Sequence, residues 1–198
     1  MRIVQPSATL EWATPSPALA IERAARTCYR SEGRICDGSA ATLIASLIRR
    51  GHEAMLEHAS ASIRFVTDRA IANELTRHRL ASFAQVSIRY VKVGELEVVE
   101  PPELDAFTIG LWIDACRAAE LGYQKMIARG CRPEIARSVL PLCTATEVVC
   151  AANFRERRHI LRLRLDRAAH PQMREIMAIA EELLRGVCPE VFGEADAG

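Results

Sequence analysis

Apolar and small residues recur at helical spacing along most of this chain, broken by a few short alternating stretches. The opening, through Thr14-Pro15-Ser16-Pro17, reads as a strand and a loop. Ser16 then offers an N-cap and Pro17 a first helical position for a helix running toward Tyr29. Residues 30–38 are polar, bear glycine and predict a mobile loop. Ser39 predicts a cap for a second helix, Ala40 to Arg50, with Leu43, Ile44 and Leu47 on one face and Gly51 as its stop. Ala59 to Val66 alternates and reads as a strand. Asp68 caps a helix expected to carry Arg69 on to Arg77-His78-Arg79, and a loop to Tyr90 feeds a strand-like stretch from Val91 to Glu100. A long helix is expected from about Glu103 to Ala128, stopped by Gly130, then a short one from Arg132-Pro133-Glu134 to near Pro141. Thr144 to Cys150 is β-branched and apolar, hence another strand. Helices over about 153–165 and 172–186 close the pattern. With no repeat and no long internal linker, the expectation is a single mixed α and β domain over 1–190 and a polar tail over 191–198.

Composition narrows the function classes. The chain has 198 residues, 26 Lys plus Arg against 25 Asp plus Glu, and a net charge of +1, so no global field points to nucleic acid or a membrane surface. No run of about 18 apolar residues predicts a spanning helix. The start, Met1-Arg2-Ile3-Val4-Gln5-Pro6, lacks the pattern of a secretion signal, so a cytoplasmic location is expected. Seven cysteines form no Cys-x-x-Cys pair, which predicts reduced thiols. His52 and His58 are too far apart for adjacent helical turns and no cysteine pair accompanies them, so no metal site is expected.

The basic residues are concentrated locally. In 77–90, Arg77, His78 and Arg79 end an amphipathic segment and lead into a polar loop with Ser82, Gln85, Ser87 and Arg89. Guanidinium forks pair with phosphate oxygens while hydroxyls and backbone N–H groups fill the remaining acceptors, so this segment suits phosphates and planar anionic rings. In 153–167, Ile160, Leu161 and Leu165 form an apolar stripe surrounded by arginines. Read alone, that helix is either a solvated basic surface or a nucleic-acid patch, the latter weakened by neutral total charge and few aromatics. Gly51 to His58 alone reads as a helix end and polar turn, and Arg137 as a helix-terminal surface cation. Cys143 and Cys150 in an apolar strand, and Cys188 before a proline, lack an activating neighbourhood for nucleophilic attack.

Arg77-His78-Arg79, seven residues, Ser87, then Arg89-Tyr90 resembles the motif of flavin-dependent thymidylate synthases, and the likeness extends over most of the chain. Gly51-His52-x-x-x-x-Glu57-His58, Arg137-x-x-Leu140-Pro141 and the set Asn153, Arg155, His159 and Arg164 also fall on that family's pattern. The resemblance implies an α+β fold of helices around a small antiparallel sheet, assembled as a homotetramer with sites shared between subunits. It implies reductive methylation of dUMP to dTMP, with 5,10-methylenetetrahydrofolate as carbon donor, NADPH-reduced FAD as hydride source and no cysteine nucleophile. It also implies site roles. His52, Glu57, Arg77, His78, Arg79, Leu80, Gln85, Asn153, Arg155 and His159 are expected at the cofactor. Glu74, Arg77, Gln85, Val86, Ser87, Ile88, Arg89, Arg137 and Arg164 are expected at the nucleotide, with backbone N–H groups around Val86 to Ile88 taking its phosphate. Arg164 is the expected activator of the uracil ring, and Ser87 a positioner rather than a nucleophile. Three positions depart from the pattern: Ala54 and Ala84 lack a polar group and Glu74 stands where many relatives have Gln. Competing readings are a weakened flavin- or nucleotide-binding protein on the same scaffold, and a nucleic-acid module using the basic helix.

Overall fold

The computed structural model describes residues 1–193. Their strands are β1 (Arg2–Val4), β2 (Ser7–Ala13), β3 (Ser60–Asp68), β4 (Ser82–Gln85), β5 (Glu97–Val99) and β6 (Ala145–Asn153). Their helices are α1 (Pro17–Thr27), α2 (Ser39–Arg49), α3 (Arg69–Leu75), α4 (Ala106–Ala128), α5 (Pro133–Ala136), α6 (Phe154–Arg164), α7 (Pro171–Val187) and α8 (Pro189–Phe192). The arrangement is α+β, with a small antiparallel sheet in the order β2-β3-β6-β4 and a separate parallel pair, β1 with β5, in the register Arg2 to Glu97 and Val4 to Val99.

Side chains set several boundaries. Asp68 Oδ1 accepts from Ile71 N at 2.7 Å and starts α3 directly after β3. Asp105 Oδ1 accepts from Phe107 N and Thr108 N while Thr108 Oγ accepts from Asp105 N, a reciprocal cap that delays α4 to Ala106 rather than Glu103. Gly51 (φ 70) and Gly130 (φ 82) take the left-handed conformation after α2 and α4, which an L side chain resists.

The described residues group into two compact units. The first comprises 1–7, 65–77 and 84–148. Its core joins Leu96, Val98 and Cys116 with the flanking Met1, Val93, Trp112, Leu140 and Cys143. Tyr123 Oη accepts from Val93 N at 3.1 Å and Glu120 from Leu96 N at 2.9 Å, tying α4 to the segment before β5. The second unit comprises 8–64, 78–83 and 149 onward. Here α1 packs on α2, α6 on α7, and α8 on both α2 and α7. The face of α7 is Met173, Ile176, Met177, Ala180 and Leu184, a three-and-four spacing that puts each side chain in the core. Burying a large one of these stabilises by about 1.5–3 kcal/mol relative to exposure. Phe154 and Phe192 meet edge to face at 5.0 Å. Arg157, 2 % exposed, donates from one nitrogen to the carbonyls of Ala61 and Cys150, holding α6 against β3 and β6.

Several expectations are corrected. Helix α3 ends at Leu75, so Arg77-His78-Arg79 occupy the turn beyond it. The segment expected as loop contains β4, an exposed polar strand. Of Val91 to Glu100 only Glu97–Val99 is strand. Ser16 precedes α1 but its side chain makes no capping bond. Ser39 begins α2 rather than capping it, and its hydroxyl instead donates to Glu22 Oε1 at 2.7 Å. Val191 and Phe192, assigned to a polar tail, are buried in α8. The rest of that tail from 194 lies outside the described residues.

Candidate active site

In the second unit the turn after α3 meets the basic helix α6. Nε of Arg164 donates to Nε2 of His78 at 2.9 Å. Arginine has donors only, so Nε2 carries a lone pair and the ring proton sits on Nδ1. Nδ1 faces Oε1 of Glu156 at 3.7 Å, and His159 lies edge-on to the ring at 6.2 Å. His78 is 7 % exposed and Glu156 5 %. Burial, then the Arg164 and His159 charges, lower the His78 pKa to about 4, so the ring is neutral near pH 7.

The spacing of α6 explains this cluster. Glu156 and His159, three residues apart, lie on one side of the helix, and Glu156, Ile160 and Leu161 are buried. Asn153 is the N-cap, its Oδ1 accepting from Glu156 N at 2.9 Å, so its amide NH2 is what it can offer a ligand. Arg155 is exposed and paired with Glu57 at 2.6 Å, which joins two residues expected at the cofactor. Arg162 approaches His159 Nδ1 at 3.3 Å. His52, Arg79 and Leu80 are exposed, Leu80 to 79 %. An uncovered leucine beside cationic side chains suits a planar ring with phosphate attached.

In the first unit a second cationic group forms. Arg69 Nη1 and Gln85 Nε2 both donate to Thr146 Oγ, at 3.4 and 3.3 Å. Burial and then the neighbouring Arg137 charge lower the Arg69 pKa. Arg137 Nε donates to Glu134 O at 3.3 Å. Arg69 and Thr146 escaped the sequence reading. The available signal was Arg69 in the first turn of a helix without an acidic partner there, where a cation opposes the helix dipole. Ser87 Oγ accepts from Arg89 N at 3.3 Å, and the Arg89 guanidinium lies over the Tyr90 ring at 5.2 Å. Ile88 is buried and Val86 exposed. The expected phosphate cradle loses one member, because Val86 N–H donates to Glu147 O at 3.1 Å. Glu74 is half-buried and has an interaction partner. Arg77 is exposed.

The structure thus joins His78, His159 and Arg164 in one group, Glu57 and Arg155 in another, and Gln85 and Arg137 with Arg69 in a third. Burial raises the thiol pKa of Cys116 and Cys188 to about 12 and also raises those of Cys143 and Cys150, which makes all four poor nucleophiles at neutral pH.

The model of the thymidylate synthase complementing protein family matches residues 9–190. The flavin-dependent thymidylate synthase of Mycolicibacterium gilvum is 32 % identical over 93 % of this chain and 83 % of its own. That of Geobacter sulfurreducens is 31 % identical over 93 % and 84 %. The crystal structure of the UMP/dUMP methylase PolB from Streptomyces cacaoi, bound with 5-Br dUMP, superposes with a TM-score of 0.87 at 25 % identity over 97 % of this chain and 95 % of that one.

Proposed function

Because the chain belongs to the flavin-dependent thymidylate synthase family, we propose that it methylates dUMP to dTMP, with 5,10-methylenetetrahydrofolate as carbon donor and NADPH-reduced FAD as reductant. The observation that carries this reading is the bond between Arg164 and the neutral His78, which ties two of the motif segments together. The dUMP-analogue complex of the similar methylase supports the nucleotide as substrate.

The donor set fits FAD. In the second unit, exposed Arg79 and the Glu57-fixed Arg155 suit a diphosphate, exposed Leu80 suits an apolar ring, and His52, Asn153 and His159 add polar contacts. When bound, the flavin supplies the reducing electrons. Arg164 stabilises negative charge on the O2/N3 edge of the uracil, which makes carbon 5 more electron-rich. Arg69 has no such part, whereas Gln85, Ser87, Arg89 and Arg137 hold the nucleotide, with Glu74 beside it. Ser87 positions; its hydroxyl accepts from Arg89 N, and a base to activate it is absent among its bonds in the described residues. The protein acts in the cytoplasm, in a homotetramer whose sites draw on several subunits. Among the described residues, no helix is long and apolar enough to cross a membrane.

An anaerobic assay with NADPH, methylenetetrahydrofolate and dUMP tests the proposal. Thymidylate formation is expected. A flavin-loaded protein that forms none would be the weakened binding protein instead.

A further inference from the structure

We infer that Glu156 is a positioning residue for Arg164, acting through the imidazole of His78. The inference rests on the activating role given above to Arg164. Three features of the second unit carry it.

The first is the direction of the Arg164 bond. His78 can accept from Arg164 Nε only with a lone pair on Nε2. Were the ring in its other tautomer, two N–H groups would face each other at 2.9 Å and the guanidinium would be pushed away. The bond between Arg164 and His78 therefore depends on where one proton sits.

The second is the carboxylate on the far side of that ring. Oε1 of Glu156 lies 3.7 Å from Nδ1, longer than a hydrogen bond but close enough to favour a proton there over one on Nε2. A carboxylate behind an imidazole selects its tautomer and orientation in the same way in hydrolytic triads.

The third is burial. Both Glu156 and His78 are nearly inaccessible, so the field between them is weakly screened. The charged and titratable groups around the pair include Arg164 and His159, which face His78, Arg157, which acts on Glu156 from the next position, and the Cys150 thiol, which also feels Glu156. Arg157 is already bonded to the carbonyls of Ala61 and Cys150. Those bonds leave the guanidinium charge itself buried, so the Glu156 carboxylate faces two groups, Arg157 beside it and the imidazole of His78.

Two variants and one measurement on the unaltered protein test this. Glu156→Leu removes the acceptor and is expected to lower kcat about 10-fold or more, with KM for dUMP changing less and flavin content unchanged. Glu156→Gln retains a carbonyl oxygen toward Nδ1–H and should recover most of the lost turnover. Wild-type turnover in Glu156→Leu overturns the inference, as does an equal loss in both variants. Imidazole 15N spectra of the histidine-labelled holoenzyme, with His78 assigned by difference from His78→Gln, are expected to show Nδ1–H and a bare Nε2. A proton on Nε2 overturns the inference even if Glu156→Leu fails to fold. A wild-type protein without turnover defeats the proposed function, and the nitrogen spectra still decide the contact.

Discussion

Arg164 and His78 impose requirements on one another, and each requirement can be measured. Removing the guanidinium should remove stabilisation of charge on the pyrimidine, an effect commonly worth about 3–4 kcal/mol. Arg164→Ala is therefore expected to lose roughly 100-fold or more in turnover while flavin absorbance is retained. Near-normal turnover would take Arg164 out of that role. The His78 ring also makes stability depend on pH. Its proton binds near 6.5 in the unfolded chain but at about 4 in the folded protein. Between those values the unfolded state holds more protons, so stability present above about 6.5 is lost as pH falls toward 4. Melting temperatures measured through that window should decline with acid, and less steeply in His78→Asn. Parallel declines would assign the effect to other groups.

At the scale of elements, the Asp68 cap decides where α3, the helix that leads to the Arg77-His78-Arg79 turn, begins. Asp68 is buried and its carboxylate satisfies Ile71 N–H, so Asp68→Ala should destabilise by about 1–2 kcal/mol, with Asp68→Asn retaining most of the cap. Urea unfolding of the two variants checks this, and equal midpoints would remove the cap from consideration. That start was legible because a capping carboxylate before an apolar run is a local signal. The end was not: three adjacent large cationic or titratable side chains continue the helical pattern, and only tertiary placement stops α3 at Leu75. Strand β4 was invisible for a related reason. Its edge is polar and exposed, so pairing with β6 leaves no alternation in Ser82 to Gln85. The resemblance pointed to His78 and Arg164, yet their direct bond, the Glu156 behind them and the Thr146 hydroxyl that receives Arg69 and Gln85 required coordinates. Each joins residues far apart in the chain, about which periodicity carries no information.

For the whole molecule, the proposed tetramer has a surface on which it can be tested. Phe107 is 75 % exposed and Leu111 57 % on α4, more apolar area than a lone helix face ordinarily presents to water. The purified protein should sediment at four times the chain mass, and Phe107→Asp with Leu111→Asp should shift it to smaller species. A wild-type monomer would refute the assembly, and unchanged mass in the double variant would exclude this face. Arg157 bears on how such a molecule can change over evolutionary time. Its guanidinium grips main-chain oxygens at Ala61 and Cys150, and every amino acid brings that oxygen with it. The bonds themselves thus leave the two strand positions free to change among small apolar residues that fit the core, whereas position 157 has little latitude if the basic helix is to keep its seat.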